Sequence, residues 1–281
     1  MSAFWKLAGK ERQRISFLKG HGELTSVERF SFSKQLFDFY NIDTVSIIQF
    51  DKEKGIYYEK LDALNDKDMV IIAKPQFGFT EKEQFVIDQY IMKGGKVIWA
   101  IDMIKDYEDS LYVANTSFTQ AAYNSDLTSI EKMIYKYGVG IKMDIVANQM
   151  CAPKYRNDVR WNKTIAKGQG VIPEWYLYPW VTMENGELMR NVPRVKLKYP
   201  SSLKENTGVE TVKKQVILES DVKHKIMPPT LRITYTDADK LYNPEVITDN
   251  KFTGEKVPLA YYLEGEFPSF VASSTLSPEL K

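Results

Sequence analysis

The sequence predicts an α/β fold built on a doubly wound, largely parallel sheet, and three observations carry that reading. Strand-like runs alternate with amphipathic helical stretches over residues 14–150. One of those runs, Met69-Val-Ile-Ile-Ala73, is apolar throughout and too short for a helix, as a strand covered on both faces is. Capping boxes and glycine stops mark the ends of the intervening helices, which suits right-handed crossovers in one sheet.

Taken in order, Arg14-Ile-Ser-Phe-Leu18 reads as a first buried strand that stops at the two-glycine loop Lys19-Gly20-His21-Gly22-Glu23. Thr25-Ser-Val-Glu28 then supplies a capping box, and Phe32, Leu36 and Phe39 or Tyr40 give its helix one apolar face. Asp43 to Phe50 is β-branched and apolar, a second strand; Met69–Ala73 is the third, ended by Pro75. Thr80-Glu-Lys-Glu83 is a second capping box, for a helix with a buried stripe of Val86, Ile87, Tyr90 and Ile91, closed by Gly94-Gly95. Lys96 to Ile101 is the next strand. Leu127, Ile130, Ile134 and Tyr137 mark a third helix ending at Gly138, and Ile141 to Val146 follows as a strand.

Beyond Cys151 the character changes. Residues 151–215 are rich in proline and aromatics, with short strand-like pieces at Trp180–Met183 and Val195–Tyr199 and no helical pattern. Val216–Glu219 and Leu259–Leu263 read as late strands. No linker composition and no internal repeat interrupts the chain. One domain is therefore expected over 14–281, with 14–150 as its doubly wound core and 151–281 as a β-rich completion or lobe. Residues 1–13 are expected to be a flexible lead-in.

The 281 residues are 43% hydrophobic, 13% aromatic and 27% charged, enough to bury a core, which excludes disorder and small disulfide scaffolds. Lys plus Arg number 38 against 37 for Asp plus Glu, a net charge of +1, so no field draws the chain to nucleic acid or anionic lipid. One cysteine forbids an intrachain disulfide and a cysteine-rich zinc site, and two histidines leave little metal or base chemistry; no cofactor is expected. No stretch approaches the roughly 18 apolar residues a membrane helix needs. Read alone, that says soluble and unexported.

In an open α/β sheet, ligands bind beyond the carboxyl ends of the strands, so the loops Gly20–Glu23, Lys74–Gly78 and Asp102–Lys105 come first. His21 and Glu23 bring an imidazole and a carboxylate to the first strand's end, where glycines either admit a ligand or simply make a capped turn. No Lys-Ser or Lys-Thr follows these glycines, so this is not a phosphate loop. Lys74-Pro75-Gln76 stands where hydrolases and amidotransferases of this architecture carry a nucleophile on a tight elbow, and neither Ser nor Cys is there. Cys151 reads as a buried structural thiol and His224, between Lys223 and Lys225, as solvated. Asp102 could hold a cation or cap a turn. Trp161 and Glu174-Trp-Tyr-Leu-Tyr-Pro-Trp180 offer rings for a sugar or fill the core, with Arg156, Arg160, Arg190 and Arg194 nearby for an anion. The candidate ligand-binding set is His21, Gly22, Glu23, Lys74, Gln76, Asp102, Arg160 and Trp161.

Four segments together resemble one family: Phe17–Glu23, Met69–Gln76, Phe79–Trp99 and Pro258–Phe267, the long central block being the most specific. They are similar to the gliding-associated ABC transporter substrate-binding component family, GldG, of the Bacteroidetes, over residues 14 to 270 or so. The resemblance implies a three-layer sheet of the flavodoxin-like or class I glutamine amidotransferase-like kind, shared with intraflagellar-transport proteins. It also implies a non-enzymatic auxiliary subunit that works with an ABC permease and, through it, a cytoplasmic ATPase in gliding motility. Its place would be the periplasmic face of the inner membrane, anchored by a helix near each end. Residues 1–281 show neither helix, so a soluble piece of an anchored protein is expected, with Met1-Ser2-Ala3 foreign to it. The family pattern names no catalytic residue. Two other readings stand beside it: a degenerate amidotransferase-like hydrolase using His21 and Glu23, and a saccharide or small-ligand binder in which Trp161, Trp175 and Trp180 stack on rings.

Overall fold

A computed structural model describes residues 12–106, 118–155, 171–172, 175–181, 194–229, 232–234, 252 and 254–273. The chain divides into two compact units. The first gathers residues up to Ile101, Ser125–Tyr137 and the segment from Glu266 onward; the second comprises Asp102–Asn124 and Gly138–Gly265. The first unit thus collects three separated pieces of the sequence, and residues 102–124 and 138–150 join the later strands.

In the first unit, β1 (Arg14–Leu18), β2 (Asn41–Val45), β5 (Met69–Ala73) and β6 (Lys96–Ala100) form one parallel sheet in the order β2-β1-β5-β6. Phe17 lies level with Thr44 on one side and Ile71 on the other. Ile15, Phe17, Ile71 and Ala73 form a buried cluster there. The expected strand Asp43–Phe50 is not continuous. The Ser46 hydroxyl donates to the Ile48 carbonyl at 2.6 Å, and the chain turns out of the sheet. It continues as β3 (Ile48–Asp51), which pairs antiparallel with β4 (Ile56–Glu59).

Helix α1 (Phe30–Leu36) joins β1 to β2, and α2 (Glu81–Met92) joins β5 to β6. The Thr80 capping box caps its helix, whereas the Thr25–Glu28 bonds form in a turn ahead of α1, whose own N-cap, Arg29, has no side-chain cap bond. Glu28 accepts from the Thr25 backbone at 2.8 Å; Glu83 accepts from the Thr80 N–H at 2.9 Å while Thr80 Oγ1 accepts from the Glu83 N–H at 3.3 Å. Val86, Ile87 and Tyr90 of α2 are buried as the stripe predicted, and Gly94 (φ +88°) takes the left-handed conformation that ends the helix. Helix α1 is only seven residues long and buries none of them. Helix α3 (Thr128–Lys136) buries Ile130, Met133 and Ile134.

A short final helix, α4 (Phe270–Ser273), is fastened by one side chain. Asp88 of α2, fully buried, accepts from the Tyr137 hydroxyl (2.9 Å), the Ser269 hydroxyl (2.7 Å) and the Phe270 N–H (2.8 Å). Burial, reinforced by the adjacent Asp88 charge, drives the Tyr137 hydroxyl far above its ordinary pKa, so it remains a donor.

In the second unit, the strands among the described residues pair antiparallel in small sheets, the first of them β7 (Ile104–Asp106) with β8 (Phe118–Tyr123). The expected strand Ile141–Val146 becomes two, β9 (Val139–Ile141) and β10 (Ile145–Asn148), and neither joins the parallel sheet. Asp144 marks the break: its carboxylate accepts from the Ser202 N–H at 2.7 Å and the Ser202 hydroxyl at 2.6 Å. Strand β10 pairs with His224–Met227, and all four of its residues are buried. Its alternate residues serve different clusters. Ile145 and Ala147 pack with Ile104, Trp175, Tyr176, Leu177, Tyr199 and Phe252, whereas Val146 packs with Val181, Leu218 and Leu259. The longest pair, Val212–Glu219 with Pro258–Gly265, contains both predicted late strands. Among the described residues no helix is long and apolar enough to cross a membrane.

Candidate functional site

The sheet order places β2 and β5 on opposite sides of β1, so the topological switch point lies between β1 and β5. The loops that follow these two strands meet there. The His21 carbonyl accepts from the Gln76 N–H (2.7 Å) and the Phe77 N–H (3.1 Å), and the Ala73 carbonyl accepts from the Leu24 N–H (3.0 Å). Gly22, with φ +76°, has no room for a side chain: a Cβ would stand 2.9 Å from Gln76 Cβ and Cγ. Five of the eight predicted residues, His21, Gly22, Glu23, Lys74 and Gln76, thus come together.

The imidazole is the centre of the cluster. His21 Nε2 lies 2.8 Å from Glu83 Oε1 and Nδ1 lies 3.3 Å from Glu23 Oε1, while the His21 N–H donates to Glu23 Oε2 at 2.8 Å. The Phe79 ring meets the imidazole edge to face at 4.7 Å. His21 is 4% exposed and Glu83 0%. Burial opposes charge on the ring, but hydrogen bonds and attraction from Glu23 and Glu83 outweigh it and raise His21 to about 9. The same pairing, working against burial, holds both carboxyls below their usual range. At neutral pH the site is therefore an imidazolium between two carboxylates. Both ring nitrogens donate, and neither has a lone pair with which to accept a proton.

The elbow after β5 has the backbone of one. Lys74 has φ +53°, an uncommon conformation for a residue with a Cβ, and its N–H donates to the Ala100 carbonyl at 2.8 Å. The Gln76 amide donates to the Lys74 carbonyl at 3.2 Å. The side chain at the elbow is an ammonium where a nucleophile would stand.

The other candidates lie elsewhere. Asp102 belongs to the second unit, where its carboxylate accepts from the Ile104 N–H at 3.2 Å and makes a turn. Arg160 and Trp161, with Arg156 and Arg190, lie outside the described residues. Trp175, 3% exposed, and Tyr176 fill the aromatic cluster, and rings so buried offer no face to a saccharide. Cys151 is half-buried against that cluster and bridges to Pro179. His224 is not solvated as expected but buried, with Nδ1 2.7 Å from the Asp221 carbonyl. Its ring packs against Gly254, where a Cβ would stand 2.7 Å from the imidazole, while Lys225 and Ile226 after it are exposed. Glu83 was invisible as a site residue. Glu83 reads as a capping-box member, and only the fold brings it to a histidine 62 positions away.

A separate cleft of about 610 Å³ opens beside the carboxyl ends of β1 and β2, lined by Lys19, Ser46, Gln49, Phe50, Tyr57 and Lys60 among others.

Over residues 12–281 the chain matches a protein family described as an ABC-type uncharacterized transport system. It belongs to that family. The chain is thus an auxiliary protein of an ABC-type transport system, and the family implies association with transporter components. A comparison with curated proteins gives no match. Among solved structures the chain is similar to the mmIFT52 N-terminal domain, at 14% identity over 75% of each chain with a TM-score of 0.43.

Proposed function

We propose that the protein is a non-enzymatic auxiliary subunit that binds or assembles with an ABC permease and, through it, a cytoplasmic ATPase. The proposal extends to gliding motility and to the periplasmic face of the inner membrane, where anchoring helices outside residues 1–281 would hold it. One observation carries the non-enzymatic part. The position where relatives by architecture place a nucleophile holds Lys74, and the one histidine near it is a protonated clamp between two carboxylates. A hydrolase reading needs a base there, and the imidazolium cannot be one at neutral pH. Family membership supports the transporter part. Co-purification of the full-length protein with its permease from membranes is the test, and reproducible absence of association where both are present sinks the proposal. Turnover of an ester or amide panel that disappears in His21→Gln would restore the hydrolase reading.

The cleft favours a second reading, a small-ligand binding domain. The cleft is open to solvent, and Phe50, 49% exposed, and Tyr57, 75% exposed, pair at 4.8 Å beside Lys19 and Lys60. Calorimetric titration with saccharides and small anions tests it; binding that Lys60→Ala leaves unchanged, or no binding at all, excludes this cleft.

A further inference from the structure

The parallel sheet has an open edge at β2, and the cleft lies against it. The Asn41 N–H donates to the Gln13 carbonyl at 2.9 Å and the Val45 carbonyl accepts from the Lys19 N–H at 2.9 Å, so the odd-numbered residues of β2 bond β1. Backbone polar groups alternate in direction along a strand. Ile42 and Thr44 therefore turn their N–H and C=O groups outward, where no bond reaches them among the described residues. Thr44, Val45 and Ser46 form one wall of the cleft, and the β3–β4 hairpin forms the other. The hairpin leaves the sheet at Ser46 and is tied back at Lys60, whose N–H donates to the Ile47 carbonyl at 2.8 Å. Between these points Phe50 and Tyr57 lie opposite each other in register, and both line the cleft.

The charges of the lining decide the sign of the occupant. Lys67 is committed to Asp43 at 3.0 Å and Asp66 at 3.4 Å, and Asp66 also takes Arg14 at 3.0 Å. Lys60 reaches Asp62 only at 3.9 Å, with both side chains exposed, and Lys19, also exposed, forms no ion pair among the described residues. The charge left for a ligand is thus two ammonium groups, one on each wall. The backbone decides the shape. An open trough encloses little of a small molecule, whereas an extended main chain laid along β2 meets the outward groups of Ile42 and Thr44 with its own N–H and C=O groups. Its alternate side chains then reach the Phe50 and Tyr57 wall, and carboxylates among them reach Lys19 and Lys60. We propose that the cleft takes an extended acidic peptide of a partner protein as an added strand on β2. The proposal rests on the cleft alone, and neither on the small-ligand reading of it nor on the transporter reading.

Fluorescence anisotropy of a labelled hexapeptide alternating Glu and Val, titrated with the chain, tests it. At about 0.05 M salt the peptide binds with a Kd on the order of 0.1 mM, and a counterpart alternating Lys and Val binds about ten-fold more weakly or worse. Lys19→Glu and Lys60→Glu each weaken the acidic peptide about ten-fold. Circular dichroism confirms that both variants are folded, as substitutions at exposed positions allow. Backbone pairing is read separately. Only alternate N–H groups of an added strand face its neighbour, so of two acidic peptides, one methylated on the Glu nitrogens and one on the Val nitrogens, one binds and the other does not. No binding up to about 1 mM overturns the proposal. So does equal binding of the acidic and basic peptides, equal binding of the two methylated peptides, or binding that neither lysine variant weakens. A saccharide or small anion that binds where no peptide does also overturns it, and leaves the small-ligand reading standing.

Discussion

Both units bury polar groups and rings, but the first arranges them around one parallel sheet and the second spreads them among small antiparallel sheets. One parallel sheet organises the first unit, and buried carboxylates sit in the first turn and the middle of its crossover helix: Glu83 with His21, then Asp88 with Tyr137 and Ser269. The second unit links short antiparallel pairs through an aromatic cluster around Trp175 and Tyr176 and an aliphatic one around Val146 and Leu218. The difference follows from topology. A parallel sheet needs helical crossovers, and the start of a helix leaves N–H donors that a carboxylate such as Glu83 satisfies. Short antiparallel pairs make few ladder bonds, so side-chain burial must hold them.

Five variants would break or sharpen that contrast. Trp175→Ala removes the largest ring of the aromatic cluster and should cost about 4 kcal/mol. Amide exchange should then rise in the second unit and stay unchanged in β1, β5 and β6; equal loss in both would show the units fold as one. His21→Ala leaves Glu23 and Glu83 buried without their cation and should cost about 3 kcal/mol, with the opposite exchange pattern.

That clamp also sets a pH profile. His21 titrates higher in the fold than its ordinary 6.5, so its contribution is complete below about 6.5 and is lost as pH rises through about 9. Glu23 and Glu83, held below their usual range, add stability that disappears as pH falls through their lowered values. Thermal melts should therefore decline on both sides of neutrality, and His21→Gln should flatten the alkaline limb; an unaltered limb would place the titrating group elsewhere.

Asp88→Asn replaces one of two accepting oxygens by a donor facing donors and should cost about 2 kcal/mol. Limited proteolysis should then cut near Ser269 sooner than in wild type. The smallest effect is expected at the elbow. Lys74→Gly relieves the positive φ and should stabilise the first unit by up to about 1 kcal/mol, and a loss instead would mean the lysine side chain supplies more than its backbone strain removes.

How far the sequence could be read divides along the same line. Met69–Ala73, Thr80–Glu83 and Val86–Tyr90 were legible because strand burial, capping and helical periodicity are local properties. The breaks at Ser46 and Asp144 were not. Each rests on a side chain bonding the backbone, two residues on at Ser46 and 58 residues on at Asp144, and an apolar run carries no mark of either. At the site, the loops were legible from glycine and histidine at a strand end, but the meaning of His21 was not. It depends on Glu83, which looks like an ordinary cap until β1 and β5 become neighbours. Asp88 left a faint trace, a carboxylate beside the apolar stripe of its helix, where burial demands donors.

The Asp88 fastening also has a mechanical meaning. Tension applied at Arg12 and at Ser273 enters the first unit at β1, bonded to a strand on each side, and leaves through α4. The bond from Ser269 to Asp88 spans 181 residues of sequence, so it short-circuits the whole stretch of chain that builds the second unit. A pull would be carried by sheared β-strand ladders and by the Asp88 carboxylate with its bonds from Tyr137, Ser269 and Phe270, while the small antiparallel sheets stayed slack.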